Sequence, residues 1–346
     1  MGPLARGATG GRALTGGGLP PAEGGRPDLG ASLLRQRALE EVVPAQAEGG
    51  PKDLQGLWPL RGGLSPQSDG DEGREGGDRL RPLHQVLLLS GGLPRGGHRA
   101  EMRNLKLLIE YDGTHFHGWQ VQPELRTVQG VMQEVIARVV GHQVRLIGAS
   151  RTDRGVHALG QVANFRTTST LPPSTLQRAF NALLPGDVVV KAVEEVPPRF
   201  HARFSATGKV YEYRLLLSPW PSAILRHFCW HLPEHLDLDA MRECCKLLLG
   251  VHDFSSFQLS SSDTRHPFRE VRRAEVLERS PGHVVVTLEA NAFLRGMVRS
   301  IVGTLVDVGR GRISPEGFRE IMEAQDRSRA SPTAPPHGLF LLEVKY

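Results

Sequence analysis

The chain has 346 residues, of which 39% are hydrophobic, and it carries a formal net charge of +5 at pH 7. A net charge this small does not by itself indicate a nucleic-acid partner. Composition is uneven, because the first 100 residues hold 23 of the 40 glycines and 10 of the 25 prolines, with Trp58 as their single aromatic residue. Such a segment buries too little apolar surface to offset the entropy lost on ordering its backbone.

Residues 1–101 are therefore predicted to be a disordered Gly/Pro/Arg-rich N-terminal extension. In the first 100 residues, 12 Lys and Arg are balanced by 11 Asp and Glu, unlike a polybasic arm or an acidic tail. Neither a transit peptide nor a secretory signal is recognisable, and the apolar run 86–89 is too short to span a membrane. We expect a cytoplasmic protein in which this extension is either dispensable or lies upstream of a true start at Met102.

Hydrophobic periodicity predicts alternating strands and helices in the first half of the remaining chain. Thr127 is the predicted N-cap of a helix whose apolar positions from Val128 to Val139 recur every three or four residues. Strands are predicted over 105–111, near 144–149 and 160–166, over 188–193 and over 209–217, with a second helix over about 173–183.

The second half repeats this alternation, which is typical of an α+β fold. Helices are predicted over 238–249, from 293 to about 308 and over about 315–323, and strands over about 271–279, 283–290 and 338–346.

The three cysteines do not predict a metal site. Cys244 and Cys245 are adjacent, so on a helix they cannot chelate one ion in the usual geometry, and Cys229 forms no Cys-x-x-Cys pair with them. The histidines add no convincing ligand set. We expect reduced packing cysteines and no metal.

Residues 148–158 read Gly-Ala-Ser-Arg-Thr-Asp-Arg-Gly-Val-His-Ala and place Asp153 between two arginines in a tight connection of two predicted strands. Positive neighbours stabilise the ionised form of a carboxylate, which suits a nucleophile or electrostatic stabiliser better than a general acid. An aspartate in such a turn can equally accept backbone N–H bonds in a structural role. The turn alone does not decide between these interpretations.

Arginines are grouped along the ordered part of the sequence. If the groups share one concave face, they form a track for a phosphate backbone, and otherwise they are ordinary solvated surface. The groups are Arg145, Arg151, Arg154 and Arg166; Arg199 and Arg203; and Arg265, Arg269, Arg272 and Arg273.

Eight sequence strings between Met102 and Tyr346 occur in an order that is typical of one family. Because they span about 245 residues in that order, the chain resembles the tRNA pseudouridine synthases of the TruA type. The strings are 110–120 (from Glu-Tyr-Asp-Gly to Gly-Trp-Gln), 151–153 (Arg-Thr-Asp), 181–187 (from Asn to Leu-Pro-Gly-Asp), 200–207 (Phe-His-Ala-Arg-Phe-Ser-Ala-Thr), 211–213 (Tyr-Glu-Tyr), 253–257 (Asp-Phe-Ser-Ser-Phe), 291–299 (Asn-Ala-Phe-Leu-Arg-Gly-Met-Val-Arg) and 338–341 (Gly-Leu-Phe-Leu).

This resemblance implies an α+β fold in which two related α+β subdomains join into one continuous antiparallel sheet with an RNA-binding active-site cleft. The N-terminal subdomain, with the catalytic aspartate, would cover 102–208 and the C-terminal subdomain 209–346. The resemblance also implies a homodimer with tRNA as partner, and neither a membrane nor a small-molecule cofactor.

The implied reaction is the isomerisation of uridine to pseudouridine in the tRNA anticodon stem-loop, at positions 38 to 40. The N-glycosidic bond breaks, the base turns and carbon 5 rejoins the ribose, without redox change. A carboxylate can attack the sugar or assist deprotonation next to the glycosidic carbon, and the sequence leaves both routes open.

The resemblance assigns four residues. Asp153 matches the nucleophile, Arg299 the partner of that aspartate, Tyr211 the tyrosine that stacks on the target uracil, and Arg151 the arginine that fills the space left by the flipped base. Arg299 borders an apolar helix face, where an unpaired charge is costly. Tyr213 shares the strand face of Tyr211 and is assigned to packing.

The sequence differs from the family pattern at two positions next to the catalytic motif, and two other functions are considered. Many family members have glycine before the arginine and alanine after the aspartate, where this chain has Ser150 and Arg154; both bear on substrate preference. The first alternative is a non-catalytic tRNA-binding or folding-assisting protein on the same scaffold. The second is a glycoside hydrolase with paired carboxylates, although its candidate Asp112 lies in a predicted Asp-Gly turn, which favours a structural role.

Overall fold

The computed structural model describes residues 101–259 and 266–346, so the predictions for 1–100 lie outside the described residues. None of the helices in the described ranges is long and apolar enough to cross a bilayer. The strands are β1 (Arg103–Tyr111), β2 (Ile147–Gly148), β3 (His157–Thr167), β4 (Val188–Val196), β5 (Gly208–Leu217), β6 (Trp230–Leu232), β7 (Gly250–Asp253), β8 (Phe268–Ser280), β9 (His283–Ala290) and β10 (Leu339–Lys345). The α-helices are α1 (Val128–Val140), α2 (Pro173–Leu183), α3 (Leu238–Leu247), α4 (Met297–Gly309) and α5 (Pro315–Glu323).

These strands form one sheet with the order β4-β1-β3-β10-β5-β9-β8-β7, while β2 pairs with β3 and β6 with β5. The neighbours along this path are antiparallel except β3 and β10, which run parallel with His157 opposite Phe340. The predicted α+β class with a continuous sheet is confirmed. The sheet is mostly rather than wholly antiparallel, because its two halves meet through this parallel pair.

The β3–β10 pairing requires the backbones of these two strands to approach each other closely at Gly160. A Cβ on Gly160 of β3 would lie 2.1 Å from the carbonyl oxygen of Leu342 on β10, so a larger residue would force the two strands apart. The junction is also apolar, since Ala158 and Leu341, which face each other across it, are fully buried.

His157 is buried at the same junction and its ring stacks on Phe340 with centroids 4.7 Å apart. Its Nδ1 accepts the Gly113 N–H at 3.0 Å, and Nε2 donates to the carbonyl oxygens of His227 and His337 at 2.8 and 3.2 Å. Burial lowers the pKa of His157, against the opposing effect of Asp112, and these hydrogen bonds suit a neutral ring with its proton on Nε2.

Local signals placed α1 correctly. The Thr127 side chain accepts the Gly130 N–H at 3.3 Å, as an N-cap does, and Gly141 ends the helix with a left-handed φ of 80°. The side chains that pack inward from α1 include Val128, Met132 and Val135, which were predicted from their spacing.

Two predicted elements that border the cleft are shorter in the structure by three or more residues. Of the strand predicted near 144–149, Ile147–Gly148 forms β2; the Leu146 carbonyl instead accepts the side-chain amide of Gln129 at 2.8 Å. The helix predicted from Phe293 begins at Met297, because Gly296 takes a left-handed φ of 72° that a helix interior does not allow. Both corrections place irregular backbone beside the cleft described next.

Candidate active site

Asp153 lies in the connection between β2 and β3, and core side chains hold this connection in place. Gln161 on β3 accepts the Ser150 N–H at 3.2 Å and donates its side-chain amide to the Ser150 carbonyl at 2.8 Å. The Tyr111 hydroxyl lies 2.8 Å from the Thr152 hydroxyl oxygen, and both residues are buried. The backbone on the N-terminal side of Asp153 is therefore fixed by the sheet itself.

A second loop packs directly against this connection because of a glycine. Gly118 has a φ of 90°, and a Cβ there would lie 2.6 Å from the Thr152 carbonyl oxygen. That oxygen accepts the Trp119 N–H at 3.1 Å, and the Gly155 N–H donates to the Phe116 carbonyl at 3.3 Å. The Gly-Trp-Gln and Arg-Thr-Asp strings of the sequence are thus neighbours in space.

Arg299, in the first turn of α4, contacts Asp153. Its Nη1 donates to Asp153 Oδ2 at 3.3 Å, and its Nε donates to the Ala334 carbonyl at 2.7 Å. The side chains are 16% and 30% exposed for Arg299 and Asp153 respectively. An ion pair at this depth is screened less than one on the surface, and it orients the carboxylate toward the cleft.

Tyr211 on β5 is 6% exposed and faces the same cleft, with its ring edge-on to Phe293 at 5.1 Å. Its hydroxyl lies 2.8 Å from Ser150 Oγ. Burial raises the pKa of Tyr211 to about 12, and the negative charge of Asp153 contributes to this rise. The Tyr211 hydroxyl thus keeps its proton near neutral pH and lies close enough to Asp153 to sense its charge.

Ser150 Oγ also accepts a hydrogen bond from Lys209 Nζ, at 3.5 Å. Burial, together with the positive charges of Arg203 and Arg269, lowers the pKa of Lys209 to about 8. No carboxylate of the described residues lies within 4.0 Å of this ammonium group. Lys209 and Ser150 therefore bring a cation next to the tyrosine hydroxyl.

All four predicted site residues, Asp153, Arg299, Tyr211 and Arg151, line one cleft with a volume of about 1480 Å³. Asp153 is the one Asp or Glu among the described residues of its lining. Arg151 is exposed on the cleft surface. A concave surface with this excess of cations favours a polyanionic ligand. The seven Lys and Arg of the lining are Arg145, Arg151, Arg154, Arg203, Lys209, Arg295 and Arg299.

The predicted arginine groups only partly form this surface. Arg166 points away and donates to the Pro198 carbonyl at 2.9 Å, while Arg272 and Arg273 pair with Glu270 and Glu275. Arg199 and Arg269 do not line the cleft, and Arg265 lies outside the described residues.

Asp112 lies outside the cleft lining and stabilises its own turn. Its Oδ1 accepts the Thr114 N–H at 2.9 Å and the Thr114 hydroxyl at 2.5 Å. Burial raises the pKa of Asp112, but these hydrogen bonds, together with His157 and His115, hold the pKa below its usual value. No second carboxylate therefore faces Asp153 from this turn, and paired-carboxylate glycoside hydrolysis has no support here.

No metal site is present among the described residues, where no three His, Cys, Asp or Glu side chains come together. The three cysteines are buried and free. Burial raises the pKa of Cys244 to about 11 and that of Cys245 to about 12, so both are unreactive thiols packed in the core.

Lys209 and Phe204 are cleft residues to which the sequence analysis gave no role in the site, and Ser150 was named there only for its bearing on substrate preference. Lys209 had a readable signal, since it precedes Tyr211 by two positions and shares its strand face. Phe204 belongs to the 200–207 string, but no local pattern distinguishes an exposed phenylalanine from a buried one.

Comparison with known proteins identifies one family. A family described as tRNA pseudouridine synthase matches residues 107–205 and 244–346. The tRNA pseudouridine synthase A of Acetivibrio thermocellus is 47% identical over 245 residues, and that of Thermoanaerobacter sp. strain X514 is 44% identical over 245 residues. Each alignment covers 71% of this chain and 100% of the relative.

Among solved structures, a crystal structure of the archaeal box H/ACA sRNP Nop10-Cbf5 complex is similar with a TM-score of 0.26 and 13% identity, over 58% of this chain and 53% of that chain. A likeness this low carries no argument. The family match and the two relatives are sufficient: the chain belongs to the tRNA pseudouridine synthase family.

Proposed function

We propose that this protein isomerises uridine to pseudouridine in tRNA, within the anticodon stem-loop at positions 38 to 40. The observation that carries the proposal is the ion pair of Asp153 and Arg299 in a cleft whose other Lys and Arg lining residues face no carboxylate of that lining apart from Asp153. A polyanionic RNA fits such a surface, and a single oriented carboxylate suits a reaction that needs no redox partner.

Asp153 is the nucleophilic group of this proposal. The bond from uracil N1 to ribose C1′ breaks, a bond from C5 to C1′ forms, and the proton lost from C5 is balanced by one gained at N1. The carboxylate either attacks the sugar directly or assists deprotonation beside C1′, and it is regenerated in both routes. Arg299 acts as its positioning partner, because the same guanidinium is anchored on the Ala334 carbonyl.

Tyr211 supports the target base. A uridine in a stem must leave its stack before the cleft can reach its sugar, at a cost of a few kcal/mol. Stacking on an aromatic ring returns about 1 to 3 kcal/mol per base. Tyr211 is held for this by Ser150 and Phe293. Arg151, exposed at the cleft surface, fills the space that the extruded base leaves.

The wider assignment follows the family. The protein acts as a cytoplasmic homodimer with tRNA as its partner and without a cofactor. Its two subdomains are 102–208 and 209–346, and they contribute Asp153 and Arg151 from the first, Tyr211 and Arg299 from the second. The cleft thus requires both halves of the chain.

Pseudouridine mapping on unmodified tRNA transcripts tests this function. The purified protein is incubated with transcripts, without added metal or cofactor, and carbodiimide adducts are read by primer extension. Stops in the anticodon arm that vanish with Asp153→Asn are the expected result. RNA binding without any stops would instead indicate a non-catalytic tRNA-binding protein on the same scaffold.

A further inference from the structure

Phe204 lies in the lining of the cleft and is 76% exposed. A single exposed hydrophobic residue is common and needs no explanation by itself. Phe204 differs from such a residue because its backbone is fixed, its ring belongs to an ordered aromatic pair, and the Arg203 guanidinium lies over it.

The turn that carries Phe204 is anchored in the core. The N–H of the fully buried Ala202 donates to Asn164 Oδ1 at 2.9 Å, and the Ala202 carbonyl accepts the Tyr346 hydroxyl at 2.9 Å. His201 Nδ1 accepts the backbone N–H groups of both Arg203 and Phe204 at 3.2 Å. The apolar ring is therefore held in water by a preorganised turn.

The ring itself forms a platform. The centroids of His201 and Phe204 are 4.4 Å apart with 33° between their planes, and the guanidinium carbon of Arg203 lies 5.6 Å from the Phe204 centroid. With three quarters of its surface still exposed, Phe204 has free aromatic area that a planar ring can cover. Protein aromatics in cationic grooves bind nucleic-acid bases in this way.

Lys209 supplies an anion-binding group in the same cleft. Its ammonium group is partly buried, donates to Ser150 Oγ and has no carboxylate of the described residues within 4.0 Å. The neighbouring charges that act on it, from Arg203 and Arg269, are both positive. A partly desolvated cation without a counter-charge is costly, and a phosphate group would offset that cost.

We propose that Phe204 and Lys209 form a second nucleotide subsite, in which a base beside the target uridine stacks on Phe204 and a backbone phosphate binds Lys209. This inference rests on the proposed function and adds a substrate contact outside the reacting nucleotide. An RNA loop suits the subsite, because its bases can leave the helical stack and present both ring and phosphate.

The test uses anticodon stem-loop RNAs that each carry 2-aminopurine at one loop position, bound by protein with Asp153→Asn so that the RNA is not turned over. At one position the fluorescence should fall on binding, and Phe204→Tyr should preserve this quenching. Phe204→Leu, which keeps an apolar side chain but removes the ring, should abolish the quenching and weaken RNA binding about 10-fold, the size of one stacked base.

Lys209→Met should keep the quenching but reduce the slope of log affinity against log salt concentration by about 1, as expected for one lost phosphate contact. Trp220→Leu is the matched control, because Trp220 is 80% exposed but does not line the cleft. It should change neither quantity. Quenching that survives Phe204→Leu, or an unchanged salt slope with Lys209→Met, would overturn the subsite.

Two further readouts separate the alternatives. If Phe204→Leu alters the sedimentation of the free protein while RNA affinity stays constant, Phe204 contacts a second copy of the chain and the subsite is wrong. Isomerisation by the wild-type protein is measured on unlabelled RNA. Pseudouridine formed without ring-dependent quenching overturns the subsite alone, whereas ring-dependent quenching without pseudouridine overturns the proposed function alone.

Discussion

Arg299 contacts Asp153 at 3.3 Å although 146 positions of sequence separate them. Their backbones are fixed independently: Arg299 belongs to α4, and its guanidinium is also held by the Ala334 carbonyl, while Asp153 follows a strand of the other half of the sheet. The Asp153 carboxylate is therefore oriented by α4, which is distant in sequence from the Asp153 turn. The geometry of the ion pair depends on how the two halves of the sheet meet.

Asp153→Asn should reduce pseudouridine formation by more than about 1000-fold, because an amide is neither a nucleophile nor a base. RNA affinity should stay within a few-fold, since the cations of the cleft are unchanged. Single-turnover rates and equilibrium binding on one transcript measure both. Substantial residual turnover would show that another group carries the reaction.

Arg299→Met should lower the rate by roughly 100-fold through loss of an oriented charge partner, with a smaller effect on RNA affinity. Arg299→Lys keeps the charge but cannot contact Asp153 and the Ala334 carbonyl with one planar group, so it should recover only part of the rate. Comparing kcat with KM for both variants provides the measurement. Full activity in Arg299→Met would contradict a positioning role.

Tyr211→Phe should retain turnover within about 10-fold, because the raised pKa of about 12 makes its hydroxyl a poor proton donor near neutral pH. Tyr211→Leu, without an aromatic ring, should lose roughly 100-fold by loss of stacking. A rate collapse in Tyr211→Phe would assign proton transfer to the hydroxyl.

The hydrogen bond between Tyr211 and Ser150 should contribute to stability. Tyr211→Phe leaves the buried Ser150 hydroxyl with a weaker set of partners and should cost about 1 kcal/mol of unfolding free energy. The double variant with Ser150→Ala should cost less than the sum of the single variants, and denaturant unfolding of all four proteins measures this coupling. Strict additivity would show that the 2.8 Å contact has no energetic value.

Gly118→Ala should displace the Asp153 connection. The new Cβ would lie 2.6 Å from the Thr152 carbonyl oxygen at a φ of 90°, which should destabilise the protein by about 1 to 3 kcal/mol. The midpoint temperature of thermal unfolding and the single-turnover rate of isomerisation should both fall, while RNA affinity changes little. Gly186→Ala is the control, since its Cβ would meet no atom within 4 Å. Equal behaviour of the two variants would contradict the steric role of Gly118.

RNA affinity should fall as pH rises from 7 to 9. Lys209, with a pKa lowered to about 8 by burial and by Arg203 and Arg269, loses its charge in this range and with it the phosphate contact. Lys209→Arg stays charged and should flatten this part of the profile. The free energy of unfolding of the RNA-free protein should instead rise with pH above about 8. In that range Lys209 keeps its proton in the unfolded chain but loses it in the folded protein. A wild-type profile identical to that of Lys209→Arg would refute the assignment.

Features that depend on neighbouring residues could be predicted from the sequence, whereas contacts between distant segments could not. The cap of Thr127 and the tight turn at Asp153 depend on neighbouring residues, so the sequence predicts them. The pairing of β3 with β10 joins distant segments, and no periodicity encodes its parallel direction. Residues 144–146 were expected in a strand from their apolar pattern, yet the Leu146 carbonyl bonds to the Gln129 side chain of α1. The contact of Arg299 with Asp153 came from family resemblance, because two charges far apart in sequence carry no spacing signal.

The position of β10 in the sheet bears on how the protein folds during its synthesis. β10 lies between β3 and β5 in the sheet, yet a ribosome would release it after every other described element. The halves that carry Asp153 and Tyr211 can each begin to fold during translation, but the strand that joins them emerges last. Until then the segments of β3 and β5 that pair with β10 lack this partner and are open to aberrant strand association. We therefore expect the cleft, and with it any action on RNA, to form only after β10 has been inserted between β3 and β5.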